Sequence, residues 1–183
     1  MDHFYNNIEG WFQFFGIYSR MVNEAQPGAH FVEVGAWKGK SAAYMAVEIA
    51  NSGKPITFDV VDTWRGSDEP FHQRDPFVQS GTLYEHFVDN LKPVEGFYNP
   101  KRMTSVEAST QYADTSLDFV MLDAGHDYES VKSDILAWWS KVKVGGVLAG
   151  DDYQNDFPGV MQAVNELFPG CHIENGSWLV RKE

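Results

Sequence analysis

A chain of 183 residues, 43% hydrophobic and 22% charged, is long enough for one domain with helices on both faces of a sheet. Its formal net charge of −12 speaks against a nucleic-acid partner, because neutralising phosphates takes Lys and Arg that are scarce here. The single cysteine, Cys171, excludes an internal disulfide and a thiolate metal cage. With no basic leader at Met1-Asp2-His3-Phe4 and no bilayer-length apolar run, the expectation is a soluble, cytoplasmic protein without a membrane partner.

Residues 4–25 space Phe4, Ile8, Trp11, Phe12, Phe15, Tyr18 and Met21 mostly three or four apart, which predicts one helix with an aromatic face, ended by Gln26-Pro27-Gly28. That face suits packing on the rim of the core; a cover over a pocket or a dimer surface are the alternatives. His30–Val34 then reads as a buried strand, Gly35–Gly39 as a turn, Ser41–Asn51 as a helix and Ile56–Val61 as a second strand ending at Asp62. Strand, glycine turn, helix and strand make a βαβ unit with a right-handed crossover. Arg65–Ser80 is a polar, proline-interrupted insertion, followed by a helix around Leu83–Leu91, a short strand within Gly96–Thr104 and a short helix at Val106–Ala113.

The alternation resumes with a strand at Leu117–Leu122, a helix at Tyr128–Lys141 and a strand at Val142–Gly150 entered through the Gly145-Gly146 turn. Phe157–Phe168 is a last helix, and Cys171–Glu174 with Trp178–Arg181 form a terminal hairpin around Asn175-Gly176. The pattern is a doubly wound α/β domain: a helical extension over 1–28, then a core over 29–183 with an insertion at about 65–96.

In such sheets ligands lie outside the carboxyl ends of the strands, which selects residues 33–41, 62–64, 104–107, 123–127 and 150–153. Gly35 and Gly39 let backbone approach a ligand, and the helix that follows offers free N–H groups to an anionic group. Their spacing is G-x-x-x-G rather than the dinucleotide fingerprint G-x-G-x-x-G, which makes an NAD-dependent oxidoreductase the weaker reading. Glu33 before the turn is placed to hold an amino group, and Asp62 after the second strand to accept ribose hydroxyls. An amino acid at one end and a nucleoside at the other describe S-adenosylmethionine.

Phe31-Val32-Glu33-Val34-Gly35-Ala36-Trp37-Lys38-Gly39-Lys40-Ser41 resembles motif I of the class I methyltransferases, and Val60–Trp64 their acidic second motif. Asp118–Tyr128 and Val144–Tyr153 resemble the branch that holds macrocin-type sugar O-methyltransferases and small stand-alone methyltransferase domains; catechol-type enzymes are more distantly similar. The resemblance covers Ala29 to Arg181. It implies a Rossmann-like seven-stranded sheet with an antiparallel last hairpin. It also implies cofactor contacts from Glu33, Gly35, Ala36, Gly39 and Ser41 to the methionine half, and from Asp62, with Thr63 beside it, to the ribose. Asp123 belongs to the same wall. Ser105 matches an adenine-contact position; a helix N-cap, with Ala108 at the capping-box position, is the competing and compatible role.

Three carboxylates, Asp123, Asp151 and Asp152, would repel unless protonated or sharing a cation. The resemblance implies a divalent ion such as Mg²⁺ there, holding acceptor hydroxyls; contacts to cofactor or caps on the last loop are the alternative. Sugar-type enzymes use an acid two residues after the first aspartate, where this chain has Gly125. Catechol-type enzymes use a lysine three after it, where this chain has His126. His126 is therefore the candidate general base, its ordinary pKa near 6.5 suiting proton removal at neutral pH, with Asp127 orienting the ring or starting the next helix. Trp37, Trp64 and Tyr153 are candidates for the pocket wall, Trp138 and Trp139 for packing on the sheet, and Lys38 and Lys40 for facing water. The expected activity is O-methylation of a small-molecule acceptor, with N- or C-methylation or cofactor binding without catalysis as alternatives. The acceptor site is shaped by 65–96 and the N-terminal helix, and a homo-oligomer would be one way to complete it.

Overall fold

Val32, Val34, Val60, Val61, Val120, Leu122 and Leu148 are buried, as expected of strands covered by helices on both faces. They belong to β1 (His30–Val34), β2 (Thr57–Asp62), β4 (Leu117–Leu122) and β5 (Val142–Gly150), in a computed structural model that describes residues 1–183. With β3 (Asn99–Arg102), β6 (His172–Glu174) and β7 (Ser177–Arg181) they form one seven-stranded sheet of order β3-β2-β1-β4-β5-β7-β6. β1 pairs in parallel with both β2 and β4, while β7 runs antiparallel to β5 and β6. Asn175 and Gly176 turn that last hairpin with φ of 50° and 84°, the left-handed backbone a two-residue turn requires.

One face is covered by α1 (Phe15–Glu24), α2 (Lys40–Ser52) and α5 (Leu83–Leu91), which bring Ile17, Tyr18, Met45 and Phe87 into one core. The other is covered by α6 (Ser105–Ser109), α7 (Tyr128–Trp139) and α8 (Pro158–Leu167), with Ala108, Ile135, Trp138 and Val160. The chain leaves β1 toward β2 and β3, and later returns on the other side through β4 and β5. The switch in strand order therefore falls between β1 and β4, where a crevice opens. No helix is long and apolar enough to cross a membrane.

Four expectations change. The N-terminal helix is only Phe15–Glu24; Tyr5–Asn7 is one 3-10 turn, and Gly10 at φ +136° ends any helical path before α1. Residues 8–14 instead form a strap, Ile8 and Phe14 buried and Trp11 exposed. The insertion carries two short helices, α3 (Pro70–Arg74) and α4 (Pro76–Ser80), each started by its proline. The short helix after β3 begins at Ser105 and is capped by Thr104, with Glu107 closing the capping box, so Ser105 is not the cap. Finally, β5 continues through Gly145-Gly146, absorbing them as a register shift against β4 instead of a turn before the strand.

Candidate active site

The ends of β1, β2, β4 and β5 surround a cavity of about 810 Å³. Of the residues selected from sequence, its wall contains Gly35, Ala36, Ser41, Asp62, Thr63, Ser105, Asp123, His126, Asp151 and Asp152; Glu33 and Gly39 lie outside it.

The glycine turn is built by contact. A Cβ on Gly35 (φ +89°) would collide with the backbone carbonyl of Asp123, so glycine is what lets the ends of β1 and β4 close on each other. Gly39 (φ +92°) faces away from the cavity: a Cβ there would strike Leu91 and Phe87, and its role is to seat α5. Asp62 staples the turn from β2. Its Oδ2 accepts from the N–H groups of Ala36 at 2.8 Å and Trp37 at 2.9 Å, and its Oδ1 from Trp64 at 2.7 Å. A carboxylate offers about four acceptor positions, so this stapling leaves acceptor capacity facing the cavity. Trp64 is buried against Tyr84 and Phe87, donating its indole N–H to the Trp37 carbonyl, so only Trp37 of that pair reaches the wall.

Glu33 lies beneath the turn. Tyr18 donates to its Oε2 at 2.9 Å and Ser41 to its Oε1 at 2.5 Å. Burial pushes its pKa up to about 8 against the lowering effect of these hydrogen bonds, so the group is largely neutral at pH 7. Ser105, in the wall, accepts from the indole N–H of Trp138 at 2.9 Å, which fixes the start of α6 against α7.

Beyond the turn lies a cluster around His126. Its Nε2 is 2.9 Å from Asp152 Oδ2 and 3.9 Å from Asp123 Oδ1; its Nδ1 is 2.9 Å from Glu69 Oε1. Phe157 lies against the ring, centroids 4.6 Å apart. Burial opposes charge on the imidazole, but Asp123, Asp152 and Glu69 outweigh it and push the pKa up to about 11. The expected free base at neutral pH is therefore an imidazolium in the cation-free site. Asp127 does not orient it: that carboxylate caps α7 by accepting from Ser130 N–H at 3.0 Å. Glu69 does the orienting.

The anticipated trio of carboxylates is rearranged as well. Asp123, His126 and Asp152 each present one donor atom within 4.8 Å of the others. Asp151 turns aside, accepting from Ser177 Oγ at 2.6 Å and Gln13 Nε2 at 3.4 Å. Burial, then the nearby Asp123 charge, raise its pKa to about 7. Asp152 adopts a left-handed backbone, φ +60°, which costs a non-glycine residue on the order of 1 kcal/mol. Strain at a cavity wall marks a side chain held in place by its surroundings.

The strap and insertion complete the wall. Lys38, expected in water, is buried: its ammonium pairs with Asp75 at 2.6 Å and Glu9 at 2.7 Å. Lys40 donates to the Gly10 carbonyl at 2.9 Å. Both lysines thus tie the strap to the glycine turn, and Lys38 adds the insertion. Trp11 was legible only as one ring of the aromatic face over 4–25, while Glu9, Gln13, Glu69 and Phe71 escaped notice because none belongs to that apolar spacing or to a motif. The one available signal was the Asp68-Glu69-Pro70 start of a short helix.

A seven-stranded sheet with an antiparallel last pair, a glycine turn after β1 and an acidic residue after β2 define a class I methyltransferase. A family model described as a methyltransferase domain matches residues 32–153. The chain belongs to that family and is an S-adenosylmethionine-dependent methyltransferase. Among solved structures it is similar to the O-methyltransferase NovP at 19% identity, covering 92% of this chain and 78% of that one with a TM-score of 0.66. It is also similar to CalS11, a TDP-rhamnose 3'-O-methyltransferase, at 15% identity, 91% and 76% coverage and a TM-score of 0.62. An S-adenosylmethionine-dependent O-methyltransferase from Thermotoga maritima matches at 13% identity, 87% and 51% coverage and a TM-score of 0.59. At such identities these likenesses concern the fold. No match is found among curated proteins.

Proposed function

We propose that this enzyme transfers the methyl group to a hydroxyl of a small molecule held beside Asp123, His126 and Asp152. The observation that carries the reading is that this cluster shares one cavity with the glycine turn and Asp62. When bound, S-adenosylmethionine supplies an electrophilic methyl on a sulfonium. Gly35 and Ala36 would offer close backbone approach to its methionine half, Asp62 with Thr63 beside it would take the ribose, and Ser105 in the same wall would take the adenine. Glu33 supports from below, holding Ser41 in the wall.

Placing the acceptor oxygen in line with the methyl is the largest contribution such a site makes, and proton removal the second. His126 is the group nearest that task. Its pKa of about 11 reflects three surrounding carboxylates. It moves back toward the proton-accepting range beside the sulfonium charge of the cofactor, a role that Nε2 can fill only while no cation is bound to it, because Nδ1 is held by Glu69.

Two carboxylate oxygens and one imidazole nitrogen, with Glu69 behind the ring, fit a divalent cation: Asp123, His126 and Asp152 would hold it. It would supply Lewis-acid polarisation of the acceptor hydroxyl. The nitrogen donor favours a transition ion such as Mn²⁺ over Mg²⁺, which prefers oxygen throughout. Methyl transfer from labelled S-adenosylmethionine to a panel of hydroxylated acceptors, with and without EDTA, tests the reading. Transfer only to amines or carbon acids would overturn it.

A further inference from the structure

The acceptor half of the cavity is walled by rings from separate segments. Trp11 of the strap is 72% exposed and Phe71 of α3 is 45% exposed, yet the two meet edge to face at 4.9 Å. Behind them His72 stacks on Trp37 at 3.9 Å, and Phe157 closes the far side against His126. All of these residues line the cavity. Large aromatic side chains left open to water at a cavity wall are unspent apolar surface, and flat rings are what they bury best.

The charges of the wall have one dominant sign. Glu9, Asp62, Asp123, Asp151 and Asp152 line the cavity, Glu9 paired with Lys38 from behind and Asp151 bonded to Ser177. Against them stand the His126 imidazolium, already held by Glu69 and Asp152, and the Lys40 ammonium, bonded to the Gly10 carbonyl; no arginine lines it. A diphosphate or carboxylate on the acceptor would meet no guanidinium and several carboxylates, a repulsion strengthened inside a concave low-dielectric wall.

Resting on the O-methylation reading, we propose that the acceptor is an aromatic alcohol carrying no negative charge, neutral or cationic, its ring held by Trp11 and Phe71. Nucleotide sugars, the substrate class named for CalS11, are excluded by the same wall.

The enzyme is first loaded with S-adenosylhomocysteine and then titrated by ligand-observed NMR with four probes. These are 4-(2-aminoethyl)phenol, 4-ethylphenol, 3-(4-hydroxyphenyl)propanoate and thymidine diphosphate glucose. The cationic and neutral phenols are expected to bind at least ~10-fold more tightly than the anionic one, and the nucleotide sugar not measurably. Trp11→Ala and Phe71→Ala should each weaken the two favoured phenols by about 5- to 10-fold, with S-adenosylhomocysteine affinity changed by less than about 2-fold. The proposal is overturned if the anionic phenol or the nucleotide sugar binds as tightly as 4-ethylphenol. It is equally overturned if none of the four binds the loaded enzyme, or if both ring variants bind as the parent does. Failure of S-adenosylhomocysteine to bind at the loading step overturns the methyl-transfer reading itself and this proposal with it. Successful loading followed by any of the other adverse results removes the acceptor assignment alone.

Discussion

Glu33 and His126 carry ionisation states that neither side chain would have alone in water. For Glu33 the folded pKa is about 8 against an ordinary value of 4.5. Between those values the folded chain keeps a proton that the unfolded chain has lost, so stability falls as pH rises through that window. A single fully raised carboxyl changes it by about 1.4 kcal/mol per pH unit. Glu33→Gln is neutral and of the same size, so urea unfolding of the cofactor-free protein at pH 5.5 and 7.5 should show a clearly smaller loss for the variant. An unchanged slope would mean that Glu33 is ionised in the fold. At His126, replacement by Gln keeps a hydrogen-bonding side chain but removes the titratable nitrogen. Methyl transfer should fall by about 10²- to 10³-fold, with S-adenosylhomocysteine affinity kept within about 2-fold by isothermal titration; full activity at neutral pH would remove the base assignment. Much of this scale was legible beforehand. The Glu33–Gly35 turn, Asp62 and the Asp123–His126 spacing stand in strand-end segments that any doubly wound sheet brings to one crevice. The ring's protonation was not legible, because it depends on Glu69, 57 residues away in sequence.

The elements around the crevice are held by side chains with no periodic signature. Gly39 shows the cost of close packing: Gly39→Ala should lose about 2–3 kcal/mol, since φ is +92° and Leu91 and Phe87 already occupy the Cβ position. Pairing it with Leu91→Ala relieves part of the clash, and the double-mutant cycle in urea should show a coupling of about 1 kcal/mol or more. Additive losses would mean that α5 does not press on the turn. Lys38 is the corresponding polar link, joining the turn to the strap through Glu9 and to the insertion through Asp75. Lys38→Met leaves Asp75 with only the N–H groups of Phe77 and Val78. Amide hydrogen exchange should then rise across residues 66–82 and 8–14, while the β4–β5 core is unaffected. Uniform protection in both proteins would show that the link is dispensable. The expectation of one long aromatic helix failed at this scale. Helical spacing was present in residues 4–25, but Gly10 at φ +136° and burial of Ile8 and Phe14 in one core, at the two ends of the strap, set the path instead.

At the scale of the molecule, stability and function meet in the charge of the cavity. Asp123, Asp151 and Glu33 all have carboxyl pKa values raised first by burial, so the cofactor-free enzyme should be more stable at pH 5.5 than at pH 8. A divalent cation held by Asp123, His126 and Asp152, as proposed above, would offset that repulsion. At a concentration 100 times its Kd it would contribute about 2.7 kcal/mol, enough to raise the melting temperature by roughly 5–10 °C. Thermal unfolding at pH 7.5 with Mn²⁺ and with Mg²⁺ should show the larger rise with Mn²⁺, and Asp152→Asn should abolish it. Absence of a shift with both ions would leave His126 as the only positive charge balancing the cluster.

The sequence by itself determined the alternation of strands and helices, which follows from local patterning and the handedness of βαβ crossovers, and it carried the strand-end motifs whose resemblance to class I methyltransferases implied the cofactor. The tertiary structure decided which of those residues face the cavity. It put Glu33 and Gly39 behind the wall, turned Asp151 toward Ser177, brought Glu69 to His126 and buried Lys38 between strap and insertion. Each of these outcomes is a contact between segments distant in sequence, and packing and charge in three dimensions set it.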